Sequence, residues 1–177
     1  MFKYYFQLIQ QQIKTVSELK EVEWYMGQFE QSGEQVLFTT PGAYIEFDTL
    51  AMDQLACKTQ ESTISFSVYL VNESVYDDSK RVTDDTINHL GLLDDIYQAL
   101  THYKGMLSDL PSFVSIKNTS ADRVVVNTLT RTNVQFIHEL SNLVISVQTF
   151  KGVFRDISAA PEFQKVSATL KLCIDNA

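Results

Sequence analysis

The chain has 177 residues, 45% of them hydrophobic and 20% charged, with a net charge of −8 and a pI of about 4.8. That length suits one domain, and disorder would need far fewer apolar residues. With 14 Lys plus Arg against 22 Asp plus Glu and no basic cluster, the composition excludes stable nucleic-acid binding through phosphates.

Two cysteines, Cys57 and Cys173, stand far apart and form neither a metal knuckle nor a redox pair. Two free thiols in a reducing cytoplasm are expected, with one disulfide between them as the alternative. No apolar run approaches the roughly 20 residues that span a bilayer. The opening Met1-Phe2-Lys3-Tyr4-Tyr5-Phe6 lacks the long apolar stretch and cleavage site of a signal peptide, and Gln10-Gln11-Gln12 breaks it.

In chain order, Phe2, Tyr5, Phe6, Ile9, Ile13 and Val16 recur at spacings of three and four, predicting an amphipathic helix over roughly 2–19. Val22, Trp24 and Met26 alternate with polar neighbours as a strand, and Gly27 and Ser32-Gly33 punctuate a turn. A second strand is expected at Val36-Leu37-Phe38. A third follows Pro41-Gly42, with Ala43, Ile45 and Phe47 alternating with Tyr44 and Glu46. Residues 49–60 show no period. They predict a loop over the core, and Leu50, Met52 and Leu55 within it are candidate subunit-interface residues.

Ile64, Phe66, Val68 and Leu70 alternate cleanly as a strand. Ile87, Leu90, Leu93, Ile96, Tyr97, Leu100 and Tyr103 trace a second amphipathic helix, with Gly105 as its stop. Phe113, Ser115 and Lys117 lie in a predicted strand, and Val124-Val125-Val126 in or near another. Val134, Phe136, His138 and Leu140 share one parity, and Leu143, Ile145 and Val147 the other. The break at Ser141-Asn142 predicts a bulge or bend in one long strand, with a tight turn between two strands as the alternative. Val166, Ala168, Leu170, Leu172 and Ile174 form a last predicted strand. Two helices and many strands outside strict βαβ alternation predict an α+β fold, a mixed, mostly antiparallel sheet with two amphipathic helices on one face.

Catalytic motifs are absent from the sequence. His138-Glu139-Leu140-Ser141-Asn142 starts like a zinc-protease motif, but position 142 is Asn and the run reads as a strand. There is no Gly-x-Ser-x-Gly, and six scattered glycines build no phosphate loop. No catalytic, cofactor-binding or metal-ligating residue is assigned, and no cofactor is expected. Between Glu73 and Asp95 lie seven carboxylates opposed only by Lys80 and Arg81. Asp84 and Asp85 are expected at the start of the second helix, where carboxylates suit the helix dipole, and Asp94 and Asp95 on its solvated face. With Asp77 and Asp78 they form a candidate acidic surface. The spacing of a calcium loop is missing.

Taken in order, the opening helix, the Trp24 strand, Val36-Leu37-Phe38, Ala43-Tyr44-Ile45-Glu46-Phe47 after a Pro-Gly, His89 through Leu100, and Ile137-His138-Glu139-Leu140 resemble tail-terminator-like (tail-completion) proteins of tailed phages and prophages. The resemblance covers about residues 1–150, on motifs that are structural and not catalytic. It implies an α+β fold and a ring, usually hexameric, that caps the tail tube, stops its growth and faces the head connector. The implied partners are copies of the same chain, the tail tube protein and the head–tail connector protein, with no membrane and no stable nucleic-acid binding. The implied setting is the bacterial host cytoplasm during assembly and then the virion tail. Another phage assembly protein, such as a connector or an injection-machine component, stays open, as does a small enzyme with a non-local site.

Overall fold

A computed structural model of the chain describes residues 2–27, 39–50, 53–54, 60–73, 84–101, 103–106, 109, 124–137 and 143–156. Its elements in order are α1 (Phe2–Ile13), β1 (Glu21–Trp24), β2 (Gly42–Leu50), β3 (Asp53–Gln54), β4 (Gln60–Glu73), α2 (Asp84–Leu100), β5 (Gly105–Met106), β6 (Val124–Ile137) and β7 (Leu143–Asp156). The strands make one sheet in the order β1-β2-β4-β7-β6-β5, with β3 attached to β4. β1 runs parallel to β2, and the other pairings are antiparallel. This is the mixed, mostly antiparallel α+β sheet with both helices on one face that the sequence predicts.

α1 buries Tyr5, Leu8, Ile9 and Ile13, the stripe set by spacings of three and four. It ends at Ile13, short of the predicted residue 19. The Thr15 hydroxyl bonds the Gln12 carbonyl at 2.7 Å and Val16 N–H turns back to the Ile13 carbonyl. Both bonds replace helical ones. α1 is fixed edge-on to the sheet by Tyr5 against Phe154, with ring centroids 4.9 Å apart. Gln10 Nε2 donates to the Val22 carbonyl at 2.6 Å, and Gln12 Nε2 donates to the Ala99 carbonyl of α2 at 2.8 Å.

The helix-facing side of the sheet carries Ala43 and Ile45 of β2, Ile64, Phe66, Val68 and Leu70 of β4, and Phe150 and Phe154 of β7, all buried. The register Phe66↔Phe150 stacks those two rings, 5.5 Å between centroids. The opposite side holds a smaller cluster of Tyr25, Tyr44, Val71 and Ile145, where Tyr25 stacks on Tyr69 at 4.3 Å. Burial, then hydrogen bonds to Glu21 and Glu46, push the Tyr44 and Tyr69 phenols well above their ordinary range.

Four predictions need correction. The apolar stripe of α2 is rotated. Its buried face is His89, Leu92, Leu93, Ile96 and Leu100, while Ile87 and Leu90 are 56% and 51% exposed. Gly105 is not the helix stop. α2 ends at Leu100, and Gly105 begins β5, pressed against Leu8 and Tyr103 so closely that a Cβ there would lie 3.1 Å from both. The parity break near residue 141 is not a bulge in one strand. β6 and β7 are separate antiparallel strands with Ile137 opposite Ile145, the alternative arrangement. Residues 49–60 are not wholly loop, since β2 continues to Leu50 and Asp53–Gln54 pairs with Glu61 and Gln60. The predicted strands at 36–38, 113–117 and 166–174 lie outside the described residues.

Candidate functional site at the open edge of the sheet

β6 is long, and among the described residues only its start has a strand on the outer side. β5 pairs with Val126 and Val124. From Asn127 to Ile137, β6 has β7 on one side and no described strand on the other. Such an edge presents a row of N–H and C=O groups able to template another chain. Within it Val134 and Phe136 are 38% and 42% exposed, though they sit opposite the buried Gln148 and Ser146 on the helix-facing side.

Two irregularities shape this edge. Between Asn127 and Thr130 the register shifts, and Thr128 adopts a left-handed φ of 57°, rare for a β-branched residue. The shift drops Leu129 into the core over Gly152, where a Cβ would lie 2.3 Å from Leu129 Cδ2. A second shift lies between Arg131 and Asn133, with the Thr132 hydroxyl donating to the Thr149 carbonyl at 3.2 Å. Beyond it, residues 133–137 pair with β7 without interruption.

The edge is held rigidly from beneath. Gln148 Nε2 donates to the Leu93 carbonyl of α2 at 2.8 Å, and its Oε1 accepts from Arg131 Nη1 at 3.0 Å. The Arg131 guanidinium carbon lies 3.8 Å from the centre of the Tyr97 ring, a cation–π contact of about 0.5–2 kcal/mol. His89 Nε2 lies 2.7 Å from Ser146 Oγ. Burial pushes the His89 pKa down to about 4, so the ring is neutral near pH 7. Its Nδ1 is buried with no hydrogen-bond partner. A His–Ser pair at this distance has the outline of a base and a nucleophile. Both groups lie under α2 at 1% and 0% exposure, beyond the reach of a substrate. The pair is a core hydrogen bond that locks α2 to β7.

Leu50 is the last residue of β2, while Met52 and Leu55 lie outside the described residues. Asp84 and Asp85 are the first two residues of α2, and Asp94 and Asp95 are exposed on it. Asp77 and Asp78 lie outside the described residues, as do Cys57, Cys173 and His138. The structure thus places the acidic helix positions on α2. Sequence reasoning missed the Arg131–Gln148 clamp and the His89–Ser146 bond. Two polar residues at core parity in β7 are the signal that could have found them.

Among the described residues no group of three His, Cys, Asp or Glu side chains could hold a metal ion, and no helix is long and apolar enough to cross a membrane. No protein-family model matches the chain, and no curated protein matches it.

Proposed function

We propose that this chain is a structural tail-terminator-like protein of a phage or prophage. Copies of it assemble as a ring, hexameric in the family it resembles, on the end of the tail tube. The ring stops tube growth and forms the joining surface to the head. The observation that carries this reading is the outer side of β6 from Asn127 to Ile137. That side is unpaired among the described residues, Val134 and Phe136 are exposed on it, and α2 braces it through Gln148 and Arg131. A rigid, partly apolar edge suits a fixed protein contact better than a mobile one. The acidic balance of the chain suits a collar through which DNA passes without sticking, because like charge repels phosphate.

The test is to add the purified full chain to polymerising tail tubes and image their ends. Capped tubes that stop lengthening, with six copies on each cap, are the expected result. Tubes that keep growing with bare ends at saturating protein would refute the proposal.

A further inference from the structure

The two halves of α2 are held to the sheet by different means. Residues 92–100 bury Leu92, Leu93, Ile96 and Leu100. The Leu93 carbonyl accepts from Gln148 Nε2, the Ala99 carbonyl accepts from Gln12 Nε2, and the Tyr97 ring receives the Arg131 guanidinium. Of residues 87–91, only His89 is buried, while Ile87, Asn88, Leu90 and Gly91 are exposed. The side-chain tie of that stretch among the described residues is the 2.7 Å contact of His89 Nε2 with Ser146 Oγ.

That tie is weak for a buried one. His89 Nδ1 has no hydrogen-bond partner, and burying a polar atom unmet offsets part of what the Ser146 bond contributes. Opening hydrates both ring nitrogens. Between the two halves stands Gly91. A Cβ there would meet nothing within 4 Å, so packing does not call for a glycine, and a helix is weaker at glycine than at alanine.

From this we infer that residues 84–91 form a latched segment of α2, which unwinds from the sheet at Gly91 while residues 92–100 stay in place, with the His89–Ser146 bond as the latch. A segment with few buried contacts opens at a lower free energy than global unfolding. Opening bares Ser146, fully buried in the closed form, and gives the chain a second conformation that acid, or a partner preferring it, can populate. Acid favours the open form because the closed ring has no counter-charge among the described groups packed around α2. Ser146 and Gln148 of β7 are neutral, and β4 presents Val68 and Leu70 on its helix side. Arg131 of β6 is engaged with Gln148 and Tyr97. α1 brings Tyr5, set against Phe154, and Gln12, bonded at Ala99. Glu18, Asp94 and Asp95 are exposed outside the helix, and Asp85 stands one turn before His89 in the chain.

Per-residue amide hydrogen exchange, followed by NMR on the full chain, tests this. The amides of residues 88–91 are the ones to read, since the first four N–H groups of any helix lack helical partners. Near pH 7 they should exchange about tenfold or more faster than those of residues 96–100, with a step at Gly91 and little urea dependence, the mark of a local opening. Gly91→Ala should slow them about fivefold. Between about pH 7 and about pH 5, after correction for intrinsic exchange rates, opening in the parent should rise about twentyfold, the ratio for a ring that titrates near its ordinary 6.5 when open and at about 4 when closed. His89→Leu should lack that rise. Protection that climbs smoothly from residue 88 to residue 100 means ordinary end fraying and overturns the inference, as does exchange of both halves through one urea-sensitive unfolding. A rise that persists in His89→Leu removes His89 as the latch and overturns it too. The step and its pH dependence are read in the parent protein, so the inference stands or falls there even where a variant fails to fold.

Discussion

Acidification should loosen the α2 bracket in a way that depends on His89. In the folded protein its pKa is held near 4 by burial, against an ordinary value of 6.5. The unfolded chain therefore binds the proton first as pH falls. The stability due to the neutral ring is fully present above about pH 6.5 and drains away as pH approaches about 4. At 1.36 kcal/mol per unit of pKa difference, the whole effect is about 3 kcal/mol, and about 2.5 kcal/mol of it falls between about pH 7.5 and 4.5. That is a large part of a domain stability of roughly 5–15 kcal/mol. Many carboxylates titrate at the lower end, so the assay must be differential. Urea unfolding should be followed at several pH values for the parent and for His89→Leu. The variant starts lower at neutral pH because Ser146 loses its partner, but its stability should fall less on acidification, and the two curves should converge by about 2 kcal/mol. Parallel curves across the range would mean that His89 is solvated or charged in the folded state, and the buried, neutral assignment would fail.

Two further perturbations address the bulged start of β6. Gly152→Ala places a methyl against Leu129 and should cost about 1–3 kcal/mol, with much of the loss relieved when Leu129→Ala is added, as a double-mutant cycle in urea would show. Thr128→Gly removes a left-handed β-branched residue and should raise stability by about 0.5–1 kcal/mol, read as a higher urea midpoint with unchanged slope.

The α+β class, α1 and the alternation of β4 were legible because their apolar periods are clean. Other features were hidden for specific reasons. Counting His89 as polar turned the apparent stripe of α2 toward Ile87 and Leu90. The fold instead buries His89, because Ser146 supplies a hydrogen bond that no linear pattern reveals. In β7 the odd positions Leu143, Ile145 and Val147 look like a core face. The main core lies under the even positions, where Ser146 and Gln148 are buried as α2's anchors. The real bulges of β6 fall in Thr128–Asn133, a run whose Thr and Asn residues give no contrast between faces. The exposure of Val134 and Phe136 was hidden too, because they alternate like core residues.

The pairing of β4 with β7 has a consequence for how the chain is made. Ser67 and Thr149, cross-strand neighbours in this pair, are 82 residues apart in sequence, and Tyr5 rests on Phe154. At synthesis rates of about 5–20 residues per second, β4 waits several seconds on the ribosome before its partner emerges. Throughout that interval α1 and β4 hold their apolar sides toward a strand that does not yet exist. Non-local pairing of this kind also folds slowly, on the order of milliseconds to seconds. The nascent chain therefore depends on β7 to close the core. Anything that delays residues 143–156 leaves two sticky surfaces waiting, so truncation within β7 should yield aggregate in place of a smaller folded domain.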